Sequence, residues 1–324
     1  MEKRSAAQHF TLNTQMDTVK LTHKRNILFI SFSILSLLIF HTPLRELLRL
    51  AFHEKLYSYM MLVPFVSGYF IFLNRRQIHL QADYSFKIGI VLLIIGISLL
   101  WVGEKNGSGL SQGSHLSLQM LSALIFWIGG FILFYGIKAF KTASFPLLFL
   151  IFMVPIPSGA LETIIFLLTY GSTEAAHGFF KLTGVPVLRE GFSFQLPGLS
   201  ITVAKQCSGI NSSIALLVTS IVAGKLFLRT GWKRLVLVLS IFPIAMLKNG
   251  MRIAVLSLWG SYVDKRILSG DLHTSGGIPF FIVALIMLVP ILWLLRRSEG
   301  KRIGEIGLKK GVPSSEVSSS ESEP

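Results

Sequence analysis

The sequence has little charge and almost no cysteine. Only 15% of its 324 residues are charged, whereas soluble proteins usually carry about 25%. The single cysteine, Cys207, excludes an intramolecular disulfide, and no CxxC or HExxH pattern supports a metal site. We therefore expect no disulfide framework, no metal and no other cofactor.

Long apolar stretches make up most of the chain instead. Hydrophobic residues account for 52% of it, and about 20 apolar residues are enough to cross a hydrocarbon core about 30 Å thick. These stretches predict an all-α polytopic membrane protein with about eight transmembrane helices. The predicted spans lie near residues 26–41, 56–73, 86–102, 117–137, 144–160, 209–227, 234–251 and 277–295.

A ninth apolar segment, residues 161–183, is interrupted by charged side chains such as Glu174 and Lys181. If it crossed the membrane, the later basic loops and the basic C-terminal tail would lie outside, against the positive-inside rule. We therefore interpret this segment as an interfacial or re-entrant helix. A short β-like stretch, residues 193–206, follows it and is expected on the extracytoplasmic side.

The same rule predicts a multi-pass protein of the plasma (inner) membrane with both termini in the cytoplasm. The predicted division is a polar N-terminal tail over residues 1–25, a membrane catalytic domain over 26–297 and a disordered C-terminal tail over 298–324. The net charge of +15 is then explained by Lys and Arg residues near anionic lipid headgroups. Membrane lipid is therefore an expected partner, and nucleic acid is not.

Three polar residues stand close to span ends on the predicted outer side. Cys207 closes the β-like stretch and is predicted to open the helix of the sixth span, where the positive end of a helix favours a thiolate. Arg252 lies at the outer end of the seventh span, and His273 lies in the next loop. Because consecutive spans with short connections tend to pack as neighbours, the spacing permits all three to converge at one outer rim.

Each of these residue types has a chemical task at such a rim. A Cys207 thiolate attacks a carbonyl and forms a thioester, and His273 takes the thiol proton and later protonates the leaving amine. Arg252 holds an oxyanion or a substrate carboxylate. Structural roles stay open beside these: a packing cysteine, an arginine that snorkels to headgroups and a solvated histidine.

Asn211, Ser212 and Asn249 are polar residues close in sequence to Cys207 and Arg252. In the functional interpretation they line the site. In the alternative they only hydrogen-bond neighbouring helices, as small polar residues do in membranes. Both interpretations stay open on the sequence alone.

Two local strings carry a family resemblance. Residues 204–212 read Ala-Lys-Gln-Cys-Ser-Gly-Ile-Asn-Ser, and residues 249–253 read Asn-Gly-Met-Arg-Ile, with His273 and Gly277 following. In this order they resemble the exosortase/archaeosortase family, whose members are multi-spanning, cysteine transpeptidase-like membrane enzymes.

The resemblance implies a site made of Cys207 as nucleophile with Arg252 and His273. It also implies the substrates, which would be membrane-anchored exported proteins whose C-terminal sorting signal combines a short motif such as Pro-Glu-Pro, a transmembrane helix and a basic tail. The enzyme would cleave near the motif, and water or an unidentified acceptor nucleophile would take the acyl group. Lys205 and Gln206 precede the cysteine where an apolar or small residue is usual in the family.

Two other functions fit a chain of this kind. A polytopic transporter or flippase predicts charged residues near the bilayer midplane and discontinuous central helices, and the predicted spans carry few such charges. A non-catalytic assembly factor for exopolysaccharide export predicts that Arg252 and His273 tolerate substitution.

The single cysteine makes the location and reactivity of Cys207 directly testable. A membrane-impermeant maleimide added to intact cells should label it, because the predicted topology places residue 207 outside the cytoplasm. The mass shift of the purified chain measures the labelling, and denatured protein controls for an intact thiol. Native protein that resists labelling at every pH, while denatured protein reacts fully, would contradict an outward, reactive thiol.

Overall fold

The computed structural model describes residues 23–105, 109, 111–204, 208–262 and 277–310. The chain forms two compact units, Met1–Ile164 and Ile165–Pro324, and each is described by itself.

Helices make up the first unit. They are α1 (His23–Ile39), α2 (His41–His53), a 3₁₀ helix (Lys55–Met61), α3 (Leu62–Leu80), α4 (Phe86–Lys105), α5 (Gln112–Thr142), α6 (Ser144–Phe149) and a second 3₁₀ helix (Leu150–Met153). Helix α7 (Ser158–Leu182) begins in this unit and lies mostly in the second.

The second unit combines helices with one small sheet. Its strands are β1 (Leu188–Glu190), β2 (Ser193–Leu196) and β3 (Leu199–Thr202), and its further helices are α8 (Ile210–Phe227), α9 (Gly231–Leu239), α10 (Ile241–Tyr262) and α11 (Gly277–Lys310). The strands are antiparallel in the order β1-β2-β3, with Phe194 opposite Arg189 on one side and Ile201 on the other. This sheet confirms the β-like stretch predicted from the sequence.

The prediction of an all-α polytopic membrane protein is confirmed. Within the described ranges, six helical segments are long and apolar enough to cross a membrane: Lys55–Leu80, Phe86–Lys105, Gln112–Thr142, Ile210–Phe227, Gly231–Tyr262 and Pro279–Glu299. Two further helix pairs pass the same criteria but are bent, α1 with α2 by 76° and Ser144–Met153 with α7 by 89°. If each bent pair is one span, the described part of the chain has eight.

The predicted span 144–160 is wrong as a single helix. The chain turns by 89° between Met153 and Ser158, and residues 158–160 belong to α7 rather than to the preceding helix. The cause is Pro155 and Pro157, which lack amide hydrogens and disfavour helical conformation in the residues before them. A broken span and a re-entrant loop both have this geometry, so the re-entrant interpretation of residues 161–183 stays a prediction.

The predicted boundaries of the tails do not coincide with helix ends. Helix α1 begins at His23, inside the predicted N-terminal tail, and α11 continues past residue 297 to Lys310. The first proline after Pro290 is Pro313, so every residue of this extension retains the amide hydrogen that a helix needs.

Glycines allow α4 and α5 to pack at backbone distance in the first unit. A Cβ added to Gly89 would lie 2.6 Å from the Cβ of Leu133, and one added to Gly96 would lie 2.8 Å from the Cβ of Phe126. The Ser122 hydroxyl uses this proximity to donate to the Gly96 carbonyl over 2.6 Å. In lipid, helices associate through close packing at small residues and through interhelical hydrogen bonds, because burying apolar side chains there gives no hydrophobic driving force.

In the second unit, α7 and α10 meet at Gly250. A Cβ on Gly250 would lie 2.5 Å from the Cβ of Ala175 and 2.8 Å from the backbone nitrogen of Ala176. The sheet packs against the same two helices through one apolar cluster, whose buried members are Ala176, Phe180, Phe194, Leu196, Val203, Ile253 and Ala254. The strands therefore hold their position through contacts with α7 and α10.

We expect Gly250→Ala to lower the stability of the protein. The added methyl meets backbone as well as side-chain atoms of α7, and such overpacking costs about 1–3 kcal/mol. The measurement is the thermal unfolding temperature of the full chain in detergent.

Gly178→Ala is the matched control, because Gly178 is an exposed helical glycine with open space around its Cβ position. That change should raise stability slightly, by about 0.5–1 kcal/mol. Equal unfolding temperatures for the two variants would contradict the close approach of α7 and α10.

Candidate active site

The described residues include Arg252, Asn249, Ser212 and Asn211, whereas Cys207 and His273 lie outside them. The geometry of the predicted site is therefore built from the residues that flank the cysteine and from α10. Helix α8 begins at Ile210 with Gly209 as its N-cap residue. The helix thus begins three residues later than position 207, where the sequence placed its start, and this corrects the predicted boundary.

The backbone just after the cysteine is held by hydrogen bonds to one carbonyl. Gly209 has a left-handed conformation, φ +68°, which glycine adopts without strain because it has no Cβ. Its carbonyl oxygen accepts from the hydroxyls of Ser212 (3.0 Å) and Ser213 (2.9 Å) and from the Ser213 amide (3.0 Å). The first turn of α8 is therefore tied to a residue two positions after Cys207.

Asn249 of α10 lies directly against this residue. The Asn249 side chain is fully buried, and a Cβ on Gly209 would lie 2.8 Å from its Oδ1 atom. Both the left-handed backbone and this contact require glycine at position 209. The start of α8 and the middle of α10 therefore meet as the sequence spacing permitted.

Lys248 is the main site residue that the sequence analysis missed. Its side chain is only 2% exposed, and its Nζ atom donates to the Ser212 hydroxyl, which in turn donates to the Gly209 carbonyl. A hydrogen-bonded chain thus runs from α10 through Ser212 to the backbone after Cys207. The sequence does contain a signal that could have identified Lys248, because a lysine inside an apolar span, one turn before Arg252, is unusual.

Lys248 and Arg252 place two positive charges on one face of α10, because residues four apart on a helix are neighbours. Arg252 is half-buried. In the described part of the chain, no carboxylate forms an ion pair with Lys248; the ion pair found there joins Arg189 and Glu174. The positive end of the α8 dipole adds to the same potential. Lys248 and the N-terminus of α8 therefore both bring positive charge to the surroundings of Gly209.

The structure does not bring Asn211 into this network. It is exposed, and it makes none of the contacts described above among the residues that can be described. Ser212 and Asn249, by contrast, contact Lys248 and Gly209 respectively. Ser208, directly after the cysteine, is 1% exposed, and its hydroxyl has no hydrogen-bond partner among the described residues.

The sheet is anchored to α7 by a bidentate ion pair. The Nη2 and Nη1 atoms of Arg189 donate to Glu174 over 2.6 and 3.0 Å, and Nε donates to the Gly191 carbonyl over 3.0 Å. The hydrogen bonds and charge of Glu174 raise the pKa of Arg189. This contact holds β1 against α7.

The far end of the sheet is anchored to α10. The Ser261 hydroxyl donates to the Pro197 carbonyl over 2.6 Å. Val203, directly after β3, is buried, and its amide donates to the Phe192 carbonyl over 2.9 Å. Residues 205–207 are thus preceded by packed backbone at Val203 and followed by packed backbone at Ser208.

Together these features define a multi-pass α-helical membrane protein with a cation-bearing polar region at the start of α8. The family model described as transmembrane exosortase matches residues 51–290, which is more than half of the 324-residue chain. The protein belongs to the transmembrane exosortase family. Searches of curated proteins and of solved structures gave no match.

We expect Lys248→Met to raise the pH at which Cys207 becomes reactive. Lys248 is linked through Ser212 to the carbonyl of Gly209, two residues after Cys207 in sequence. Removing a positive charge from the surroundings of a thiol makes the thiolate less favourable and raises the thiol pKa, by about one pH unit where the two groups are several ångströms apart. Stability should change little, because the loss of the hydrogen bond to Ser212 is offset when an apolar side chain of similar length replaces a buried charge. The measurement is the pH profile of maleimide labelling of the single cysteine.

Lys225→Met is the matched control, since it removes one positive charge near the other end of α8, about 22 Å along the helix. Its labelling profile should match that of the wild type. An unshifted profile in Lys248→Met would show that this lysine has no electrostatic influence on the thiol.

Proposed function

We propose that this transmembrane exosortase is a cysteine peptidase or transpeptidase whose nucleophile is Cys207. The observation that supports it is the contact of Gly209 with Asn249, with Lys248 hydrogen-bonded to Ser212 and Arg252 one turn further along α10. Positive charge and a helix N-terminus are what lower the pKa of a cysteine thiol. They are concentrated next to the backbone that carries the only thiol in the chain.

The proposed reaction begins with attack of the Cys207 thiolate on the carbonyl carbon of the scissile peptide bond. The Arg252 guanidinium stabilises the oxyanion of the tetrahedral intermediate or orients a substrate carboxylate. His273, which has taken the thiol proton, gives it to the leaving amine as the carbon–nitrogen bond breaks. A thioester between the substrate acyl group and Cys207 results.

A second nucleophile then completes the cycle. Water attack on the thioester carbonyl releases a carboxylic acid, whereas attack by an acceptor nucleophile transfers the acyl group; either step frees the Cys207 thiolate. In this proposal, Lys248 acts as a positioning residue: it holds Ser212 and, through it, the start of α8.

The proposed substrates are membrane-anchored exported proteins with a C-terminal sorting signal, cleaved on the outer face of the plasma (inner) membrane. A substrate helix in the same bilayer searches for the enzyme in two dimensions and arrives with its cleavage motif at a fixed depth. This confinement supplies part of the positioning that catalysis requires. We also propose that both termini of the enzyme lie in the cytoplasm, because this topology puts most Lys and Arg residues of the loops on the cytoplasmic side.

A transporter or flippase is the second candidate, and two observations favour it. Lys248 is a buried charge inside a span, and two helix pairs are bent at a break; transporters use both features at their binding sites. A transporter does not require the cysteine, however. The two functions therefore differ in their dependence on Cys207.

Cys207→Ala, produced at wild-type abundance, should abolish maturation of exported membrane-anchored proteins. The measurement is mass spectrometry of their C-terminal peptides, in which uncleaved precursors should accumulate. Arg252→Ala should slow maturation by about 10²–10³-fold, as loss of an oxyanion donor does. Arg252→Lys, which keeps the charge but loses the planar fork, should mature substrate at a rate between those of the wild type and Arg252→Ala.

Normal maturation in Cys207→Ala would rule out the enzyme proposal. A transport defect in Lys248→Met together with normal transport in Cys207→Ala would support the transporter instead. Normal function in both Arg252→Ala and Cys207→Ala would indicate a non-catalytic assembly factor.

A further inference from the structure

The first unit contains a cavity of about 360 Å³ between α1, α2, α3, α5 and the 3₁₀ helix Leu150–Met153. Its base is buried and includes Phe40 and Met120, which are 1% and 4% exposed. Its mouth is formed by exposed residues, Leu37, Pro64 and Gly68. The cavity is therefore a groove that opens on the side of the helices.

The lining offers almost nothing to a polar ligand. No charged residue is among those that line it, and its polar groups are mostly engaged elsewhere. The Ser67 hydroxyl donates to the Pro146 carbonyl, and the Trp127 indole donates to Ser33 over 3.1 Å. Water needs two to four polar partners in a buried site, so the base of this groove favours an apolar occupant.

The mouth of the groove lies on helices whose length and composition suit a membrane. Pro64 and Gly68 lie on Lys55–Leu80, one of the segments long and apolar enough to span the membrane, and Leu37 is 57% exposed on α1. An apolar groove that opens sideways in this region is in contact with lipid chains. Left empty, its walls would lose dispersion contacts that an alkyl chain restores.

The size of the groove selects among apolar occupants. One turn of an α-helix, about 10 Å across and 5.4 Å long, fills about 420 Å³, which is more than the cavity volume of about 360 Å³. A methylene is similar in size to a water molecule, which takes about 30 Å³ in the liquid. The groove is therefore better matched to a single alkyl chain than to a helix.

We propose that this groove binds one acyl chain of a membrane phospholipid, with the chain entering from the bilayer past Gly68. This site is independent of the proposed reaction at Cys207. Gly68 leaves the entrance open, since no atom lies within 4 Å of the position where its Cβ would stand. A larger side chain there fits without backbone clash and occupies the mouth of the groove.

The test uses native mass spectrometry of the full-length protein, purified in mild detergent and then exchanged extensively into fresh detergent. The wild type should retain one phospholipid per chain, and Gly68→Leu should reduce the retained fraction at least tenfold. Gly159→Leu is the matched control, because Gly159 is also an exposed helical glycine with nothing within 4 Å of its Cβ position, and it lies outside the groove. The control should retain the lipid.

Fluorescence of Trp127, which lines the groove, supplies a measurement on the unaltered chain. Reconstitution with phospholipids brominated on the acyl chain should quench a tryptophan component that disappears in Trp127→Phe. Equal lipid retention in Gly68→Leu and the wild type, no retained phospholipid in the wild type, or a retained mass that belongs to an isoprenoid lipid or a peptide would each overturn the proposal.

Discussion

The second unit depends on how closely α10 approaches its neighbours around residues 248–250. Three consecutive residues there contact three different partners: Lys248 hydrogen-bonds to α8, Asn249 contacts the residue that precedes α8, and Gly250 meets α7 at backbone distance. Successive residues on a helix point about 100° apart, which is why one short run can reach all three. In lipid such contacts carry the assembly, because burying apolar side chains gives little drive there. The position of the sheet and the start of α8 both follow from this approach.

The same run places a charge where it is costly. An ammonium group with 2% exposure in a span needs hydrogen bonds or counter-charge to persist. Lys248 donates one hydrogen bond to the Ser212 hydroxyl. Because Ser212 also contacts the Gly209 carbonyl, the burial of this charge is linked to the backbone conformation two residues after Cys207. Such an arrangement is expected where the protein stabilises negative charge, and it agrees with the chemistry proposed for a member of the transmembrane exosortase family.

Much of the fold could be predicted, and the errors have local causes. The apolar runs predicted the spans because their length and composition alone decide whether a helix can cross a membrane. The break at residues 154–157 was missed because a run that contains Pro155 and Pro157 is still apolar when only hydropathy is read. The spacing of the candidate residues permitted the start of α8 and α10 to meet, and the contact of Gly209 with Asn249 shows that they do. Lys248 was overlooked because its importance comes from its burial and from its hydrogen bond to Ser212. The hydropathy of a predicted span reveals neither.

The sequence by itself determined that the chain is a multi-pass membrane protein, since composition and run length fix that class, and its ordered strings pointed to the exosortase family. Only the tertiary structure decided which helices touch. The approach of α7 to α10, the contact of Gly209 with Asn249 and the lipid-sized groove of the first unit depend on distances between residues far apart in the chain. Apolar helices can pack in many ways with similar hydropathy, and the choice among them is made by a few glycines and hydrogen bonds at particular depths.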